Sequence, residues 1–174
     1  LAGEEINFDS KSGNLKVTKG DRGLCLNFPA DYPIEAESNS LFFEILGIEP
    51  LKLLRGKDDY LAVFRNQQQV EEIQPKFYLL KKLDARGLVI SAPGDEVDFV
   101  SRCFYPEAGI EEDPVTGSAH TMLTPYWATQ LNKNELDAHQ LSKRGGKLNC
   151  SLANERVFIS GDSVIYFEGI ISIV

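Results

Sequence analysis

The chain has 174 residues, of which 43% are hydrophobic and 25% are charged, and its formal net charge at pH 7 is −8. This composition is typical of a globular protein that buries a core in one domain or in two small ones. The negative charge argues against nucleic acid or an anionic membrane as the main partner, because both require a basic face. The most apolar run, Val164–Val174, contains Glu168 and is shorter than the ~20 residues of a membrane-spanning helix.

The N-terminal part alternates apolar and polar residues in a way that is typical of β-strands. We predict a hairpin with strands at Ile6–Asp9 and Leu15–Val17, joined by a turn with the sequence SGN. A third strand is predicted at Leu24–Phe28, where Pro29 ends the alternation.

A change in composition after these strands marks a predicted domain boundary. The stretch DYPIEAE combines charge with proline, which is typical of a connecting loop. We therefore predict a β-rich first unit over residues 1–35 and a second domain over residues 36–174. The final strand of the chain is a candidate for returning to the first domain.

The second domain is predicted to mix short helices with strands. Helices are predicted at Ser40–Leu46, which Gly47 would end, and at Phe77–Leu83, which has Pro75 near its first turn. Strands are predicted at the following positions: Leu51–Leu54, Tyr60–Phe64, Leu88–Ser91, Phe99–Phe104, Leu148–Leu152, Val157–Ile159, Val164–Phe167 and Ile170–Val174.

The longest predicted helix covers Ser118–Leu131. Its apolar residues recur at helical spacing and form one stripe, which consists of Ala119, Met122, Leu123, Tyr126 and Trp127. Pro125 lies inside this helix and is expected to kink it or to tighten a turn. Many strands with few helices favour an α+β fold in which a sheet curls around a buried helix.

The sequence EEDPVTGSAH, directly before this helix, is the strongest candidate for a functional site. Pro114 restricts Asp113 to an extended backbone, and Thr116 or Ser118 can cap the helix. Gly117 has no Cβ, so a ligand can approach its backbone closely. The first N–H groups of a helix have no partner within it and carry partial positive charge. The stretch therefore predicts an anion site at the N–H groups of Gly117 and Ser118, with Asp113 beside it, which suits proton transfer next to a carboxylate.

A purely structural explanation of these residues stays open, because an Asp-Pro turn before a capped helix also occurs without any function. Glu111 and Glu112 are expected to be solvated, and His120 is expected to pack or to form hydrogen bonds rather than react. Arg144 could meet a carboxylate, although a turn before a strand explains the sequence RGG equally well.

The cysteines and histidines do not form a metal-binding pattern. Cys25, Cys103 and Cys150 are far apart and have no zinc-ligand spacing, so we expect reduced thiols in a cytoplasmic compartment. The sequence has two histidines, and His139 is assigned to a loop while His120 lies in the helix. We therefore predict no metal site.

The longer run EEDPVTGSAHTMLTPYW resembles the signature of the phenazine-biosynthesis (PhzF-like) isomerase family. The similarity continues upstream in GLVISAPG and DFVSRCFYPEAGI, and downstream in ELDAHQLSKRGGKLNC and VFISGDSVIYFEGII. The opening EEINFDSKSGNLKV resembles the strand hairpin of the family's first domain.

This resemblance implies a diaminopimelate-epimerase-like fold, in which each of two α+β domains wraps a curved mixed sheet around a central helix. It implies a site between the domains where helix N-termini face a small carboxylate substrate, with no cofactor and no metal. Asp113 would be a second acid/base or polar partner, and Gly117 and Ser118 would supply N–H donors. A homodimer is compatible with the resemblance.

Features of the family's first half are not found in these 174 residues: a Gly-Asn-Pro turn, the catalytic Glu after it and a GHAT-like segment. We therefore expect residues 1–35 to be a remnant of the first domain and the isolated chain to be inactive. Two other functions stay open, a non-catalytic carboxylate-binding protein and an amino-acid racemase or epimerase. In cysteine-dependent relatives a Cys stands at the position of Asp113, so two-thiol racemisation is disfavoured.

Overall fold

The computed structural model describes residues 5–11, 13–20 and 23–170 of the chain. The helices in these ranges are α1 (Ser40–Leu46), α2 (Gln67–Glu72), α3 (Phe77–Leu80) and α4 (Gly117–Leu131). The strands are β1 (Glu5–Ser10), β2 (Gly13–Gly20), β3 (Gly23–Pro29), β4 (Ile34–Glu35), β5 (Lys52–Arg55), β6 (Asp59–Val63), β7 (Gly87–Pro93), β8 (Phe99–Tyr105), β9 (Ile110–Asp113), β10 (Glu135–Gln140), β11 (Gly146–Ala153) and β12 (Arg156–Gly161).

The strands of the described residues form one mixed sheet in the order β1-β2-β3-β12-β11-β10-β8-β7-β6-β5-β4, and β9 pairs with β8 outside this path. The β10–β8 and β6–β7 pairs are parallel, and the other described pairs are antiparallel. The N-terminal strands join the rest of the sheet because β3 pairs with β12, with Leu26 opposite Ile159. The assignment of residues 1–35 to a separate first domain stays a prediction.

Helix α4 lies at the centre of the larger hydrophobic core. Phe99 of β8 stacks on Trp127 with 5.8 Å between ring centroids, and Trp127 Nε1 donates to Ser91 Oγ at 2.9 Å. The buried strand residues around the helix come from most of the sheet: Leu54, Leu61, Val63, Val89, Phe99, Cys103, Leu136, Ala138, Leu148, Cys150, Val157 and Ile159. The sheet therefore wraps α4, and the α+β fold with a buried central helix is confirmed.

The short helices cover the opposite face of the sheet. Leu88 and Ile90 of β7 point to this face, whereas Val89 between them points to α4, as the alternation of side chains along a strand requires. The second core also contains buried residues of α1, α2 and α3: Phe42, Ile45, Leu46, Val70, Leu79 and Leu80. The central strands are thus buried on both faces.

Pro125 changes the hydrogen bonding of α4 without ending it. Because proline has no N–H, the carbonyl oxygen of Thr121 cannot receive its usual bond from four residues later. The backbone N–H of Asp31 donates to this oxygen instead, at 3.0 Å. The bond fixes the segment after β3 against α4, which continues to Leu131 and ends at Asn132 in the left-handed conformation.

The loop assignment of His139 is wrong, because Glu135–Gln140 forms β10. Leu136 and Ala138 are buried on the side that faces α4, and His139 between them is half-buried on the other side. The polar residues that alternate with them gave this stretch the composition of a loop.

Two helix predictions also differ from the structure. The helix Gln67–Glu72 was not predicted, although Asn66 caps it by accepting from the N–H of Gln69 at 3.0 Å. The helix predicted at Phe77–Leu83 covers Phe77–Leu80 only.

Residues 162–170 have no regular secondary structure, so the strand predicted at Val164–Phe167 is not formed. Val164 and Phe167 are 91% and 81% exposed. The strand predicted at Ile170–Val174 lies outside the described residues, apart from Ile170. Within the described ranges, the helices are too short or too polar to cross a membrane.

Candidate functional site

The turn between β9 and α4 brings the predicted site residues together. Pairing of β9 with β8 places Asp113 opposite Cys103, and α4 begins at Gly117. Thr116 occupies the N-cap position with φ −115° and ψ 104°, but its side chain makes no capping hydrogen bond. The Thr116 hydroxyl donates to Asp113 Oδ2 at 2.5 Å instead. The predicted cap by the Thr116 side chain is therefore wrong, because Asp113 uses that hydroxyl.

Gln140, at the end of β10, forms hydrogen bonds to both ends of this turn. Its carboxamide is buried, with 1% of the residue exposed. Gln140 Oε1 accepts from the N–H of Thr116 at 2.8 Å, and Nε2 donates to the carbonyl oxygen of Asp113 at 2.7 Å. Among the described residues, the N–H groups of Gly117 and Ser118 have no hydrogen-bond partner. These two amides are therefore available to donate to a ligand.

The loop between β10 and β11 supports the middle of the turn. Ser142 Oγ donates to the carbonyl oxygen of Pro114 at 2.7 Å and accepts from the N–H of Gly145 at 3.1 Å. Gly145 has φ 72°, in the left-handed region that favours glycine. A Cβ on Gly146 would lie 2.2 Å from Cγ2 of Val115, so only glycine fits there without movement.

The first two residues of α4 line two different cavities. Ser118 lines a cavity of about 210 Å³ together with Asp31, Lys57 and Arg86, which we call the Ser118 cavity. Gly117 lines a second cavity of about 700 Å³, which we call the Gly117 cavity. Arg144 and Lys147 also line the Gly117 cavity.

The predicted residues are thus placed differently around these cavities. Ser118 and Gly117 each line one of the cavities, whereas Asp113 is half-buried and lines neither of them. A Cβ on Gly117 would lie 3.3 Å from Cδ1 of Leu26, so β3 approaches this part of the helix closely. Arg144 is exposed at the rim of the Gly117 cavity, where it can meet an anion.

Arg86 is a functional candidate that sequence reasoning missed. Its Nε donates to Asp59 Oδ1 at 3.0 Å, its Nη2 pairs with Asp59 Oδ2, and Nη2 also donates to Ser118 Oγ at 3.2 Å. The guanidinium lies over the ring of Tyr105, 5.2 Å from its centroid. The hydrogen bonds that Arg86 donates to Asp59 raise the pKa of Arg86, so the side chain is a permanent cation beside the helix N-terminus.

The position of Arg86 depends on the parallel pairing of β6 with β7. This pairing sets Asp59 opposite Gly87, the residue after Arg86. Asp59 is 4% exposed, so its charge requires a partner, and the guanidinium supplies one. Residues this far apart in the chain give no local sequence signal, which is why the pair was not predicted.

The expectation that Glu112 is solvated is wrong. Arg102 is 7% exposed, and its Nε and Nη2 donate to the two carboxylate oxygens of Glu112 at 2.7 and 3.0 Å. Arg102 Nη1 also donates to the carbonyl oxygens of Ile73 and Val70, at 2.7 and 3.1 Å. Glu111 is exposed, as expected. The two neighbouring glutamates therefore have different roles, since only Glu112 neutralises a buried cation.

His120 is buried in the core, in agreement with the packing role that we predicted. Its Nδ1 lies 2.7 Å from the carbonyl oxygen of Thr116, and because a carbonyl only accepts, Nδ1 carries the proton. The Nε2 atom is buried and has no partner among the described residues. Burial lowers the pKa of His120 to about 4, so the ring is neutral at pH 7.

The cysteines of the described residues are free thiols. Burial raises the pKa of Cys103 and raises that of Cys150 to about 12, so both are protonated at neutral pH. Cys25 is half-buried on β3. The described ranges contain no cluster of three or more side chains suited to hold a metal ion, and the absence of a metal in the reaction stays a prediction.

Comparisons with known proteins agree on one family. A family model described as phenazine biosynthesis-like protein matches residues 2–169. An uncharacterized isomerase from Pseudomonas aeruginosa is 45% identical over 167 residues, which are 96% of this chain and 64% of that protein. This chain therefore spans less than two thirds of the length of that relative.

Two solved structures have the same fold and a similar sequence. One is the crystal structure of a phenazine biosynthesis protein of the PhzF family from Enterococcus faecalis. It matches with a TM-score of 0.86 and 41% identity, and the match covers 92% of this chain and 62% of that chain. A putative phenazine biosynthesis PhzC/PhzF protein from Clostridium difficile matches with a TM-score of 0.87 and 38% identity, over 99% and 67% of the two chains.

Proposed function

Because the chain belongs to the phenazine biosynthesis-like protein family, we propose that it supplies the carboxylate-binding part of an isomerase active site. The proposed reaction moves a proton on a small carboxylate-containing substrate without a cofactor. The name of the relative from Pseudomonas aeruginosa supports an isomerase in general terms. The substrate and the proton-transfer chemistry belong to the proposal.

The observation that carries this proposal is the pair of unpartnered amides at the start of α4. The N–H groups of Gly117 and Ser118 begin a helix of 15 residues, and both residues line cavities. The helix dipole adds partial positive charge at this end, and the guanidinium of Arg86, which is paired with Asp59, lies next to Ser118. Two adjacent N–H donors beside a guanidinium suit a carboxylate, which has two acceptor oxygens.

Asp113 is proposed as the second acid/base or polar partner. Its Oδ2 accepts the Thr116 hydroxyl, while Oδ1 has no donor among the described residues. A carboxylate that is fixed through one oxygen can exchange a proton through the other. This role requires the substrate to extend from the two amides towards Asp113, outside the Ser118 cavity and the Gly117 cavity.

The charges in the Ser118 cavity favour an amino acid as the substrate. The carboxylates of Asp31 and Asp58 line the same cavity as Ser118 and Arg86. Asp31 accepts from the backbone N–H of Lys57 at 2.9 Å, which fixes its carboxylate at the cavity wall. An amino acid could place its carboxylate at the amides and its ammonium group at these aspartates. A non-catalytic binding protein would have the same recognition without the proton transfer.

The binding half of the proposal is tested by NMR titration with sodium benzoate, using benzamide as the uncharged control. We expect benzoate to shift the amide resonances of Gly117 and Ser118, and benzamide to leave them unchanged. Equal responses to both compounds, or shifts elsewhere only, would contradict a carboxylate site at α4.

The catalytic half is tested by deuterium incorporation from D2O into a panel of small amino acids and carboxylic acids. We propose that this chain alone is inactive, because the motif that carries the family's main acid/base Glu is not found in these 174 residues. Joined to the remaining part of the Pseudomonas aeruginosa relative, it should incorporate deuterium. Binding without any incorporation in the joined protein would favour the non-catalytic alternative, and incorporation with inversion would favour a racemase or epimerase. A cytoplasmic location and a homodimer stay predictions.

A further inference from the structure

Gln140 is a polar residue at a buried, inward-facing strand position, where apolar residues are usual. Along β10 the inward positions are Leu136, Ala138 and Gln140, and all three are buried. In the sheet, Gln140 lies opposite Ser101 of β8 and Gly146 of β11, so it is enclosed by strands on both sides. A carboxamide in such a place is unfavourable unless its donors and its acceptor are all hydrogen-bonded.

All the hydrogen bonds of the Gln140 side chain go to the turn that precedes α4. Oε1 accepts from the N–H of Thr116 at 2.8 Å, and Nε2 donates to the Asp113 carbonyl oxygen at 2.7 Å and to Thr116 Oγ1 at 3.1 Å. The carboxamide is thus fully used by two residues that flank the Pro-Val dipeptide. It spans the turn as a brace.

The bond from Nε2 also determines where the Thr116 hydroxyl points. Because Nε2 of Gln140 is only a donor, the hydroxyl oxygen must accept from it and use its own proton elsewhere. That proton goes to Asp113 Oδ2, at an oxygen–oxygen distance of 2.5 Å. The chain of bonds therefore runs from the Gln140 amide through the Thr116 hydroxyl to the Asp113 carboxylate, and it fixes which carboxylate oxygen is occupied.

We propose that Gln140 is the positioning residue of the anion site: it orients Asp113 and keeps the Gly117 and Ser118 amides in the geometry that binds a carboxylate. This inference rests on the proposed function. Gln140 acts through Thr116 and lies beneath the turn, so it does not itself contact the substrate. By taking the Thr116 N–H, it also removes this donor from the ligand.

The main test is Gln140→Met in the 174-residue chain, because methionine has a similar volume and none of the hydrogen bonds. We expect hydrogen exchange at the Thr116 amide to become about 100-fold faster, since its acceptor is lost. The dissociation constant for sodium benzoate, measured from the Gly117 and Ser118 amide shifts, should rise about tenfold. The matched control is Gln130→Met, because Gln130 is exposed near the other end of α4.

Thr116→Val distinguishes the bond that Gln140 makes to the Thr116 N–H from the bond that it makes to the Thr116 hydroxyl. It removes the hydroxyl and keeps the backbone N–H bonded to Gln140, so Thr116 amide exchange and benzoate affinity should stay within about twofold of wild type. Thr116→Ser should match wild type in both measurements. Tenfold weaker benzoate binding by Thr116→Val would show that the hydroxyl, and not the carboxamide brace, determines the amide geometry, and would overturn the inference.

Gln140→Glu keeps the proposal testable if Gln140→Met does not fold. The glutamate retains an acceptor for the Thr116 N–H and loses both bonds from Nε2, so the amide should stay protected while benzoate binds about tenfold more weakly. Salt does not screen a charge at this buried position, so weaker binding by this variant counts only together with retained protection of the Thr116 amide. Wild-type affinity in the folded variant would overturn the inference.

The outcomes separate this inference from the function on which it rests. If wild-type protein shows no benzoate shifts at Gly117 and Ser118, the proposed function fails, and the inference fails with it. If wild type binds and Gln140→Met binds equally well, with only a lower Tm, Gln140 has a structural role alone and the proposed function survives.

Discussion

The ion pair between Arg102 and Glu112 gives the sharpest stability prediction. We consider Glu112→Ala, which leaves the buried guanidinium without its counterion. Two hydrogen bonds, at 2.7 and 3.0 Å, are lost, while the bonds from Nη1 to the carbonyl oxygens of Ile73 and Val70 remain. The neighbouring Glu111 is exposed and serves as a matched control, Glu111→Ala.

The magnitude follows from the burial of the pair. Removing one partner of a fully buried ion pair lowers the free energy of unfolding by about 3–5 kcal/mol. The side chains of Arg102 and Glu112 are 9% and 21% exposed, so water reaches part of the pair and the loss falls at or below the lower end of this range. We therefore expect a loss of about 2–3 kcal/mol for Glu112→Ala and about 1–2 kcal/mol for Glu112→Gln, which keeps one acceptor oxygen.

Urea unfolding followed by circular dichroism measures these losses. With a slope of about 2 kcal/mol per molar urea, the midpoint for Glu112→Ala should fall by about 1–1.5 M, with the slope unchanged. Glu111→Ala should stay within about 0.5 kcal/mol of wild type. If the two alanine variants unfolded at the same urea concentration, the buried ion pair would contribute nothing, and our account of Glu112 would be refuted.

Three further predictions concern the core and the turn. Gly146→Ala should lower the free energy of unfolding by about 1–3 kcal/mol in urea, because its Cβ would lie 2.2 Å from Cγ2 of Val115, and truncating Val115 to alanine in the same chain should recover part of the loss. Gly117→Ala should change the urea midpoint little, since its Cβ would lie 3.3 Å from Cδ1 of Leu26, but it should weaken benzoate binding in the NMR titration by crowding the approach to the amides. The pKa of His120 falls from 6.5 to about 4 on folding. As the pH is lowered, His120 is therefore protonated in the unfolded chain before it is protonated in the folded chain. Wild-type stability should therefore drop between pH 6.5 and 4 by about 3 kcal/mol more than that of His120→Gln, and parallel stability curves for the two proteins would contradict this.

The sequence predicted the elements that depend on local pattern. The central helix was placed to within one residue at its start, because its apolar residues recur at helical spacing up to Leu131. Strand β10 was missed because its inward residues, Leu136 and Ala138, are few and a glutamine occupies the third inward position. A polar side chain such as Gln140, which is buried because it forms hydrogen bonds, does not contribute to the alternation of apolar residues that predicts a strand.

The parts of the site that were missed depend on contacts between distant residues. Asp113, Gly117 and Ser118 could be proposed from the sequence because they share one stretch with recognisable turn and helix-start chemistry. Arg86 reaches Ser118 only because the β6–β7 pairing holds it beside Asp59. The pairing of strands determines contacts between residues that are distant in the sequence, and the sequence between those residues does not predict them.

The β10–β11 hairpin explains why the proposed anion site has a defined shape although it lies in a turn. Three positions of this hairpin hold the turn: Gln140 binds its two ends, Ser142 binds the Pro114 carbonyl oxygen, and Gly146 makes room for Val115. The hairpin is itself fixed in the sheet between β8 and β12. The position of the amides at the start of α4 is therefore determined by the rigid sheet. A ligand that binds them does not have to order a flexible loop, and the entropy that such ordering would cost is avoided.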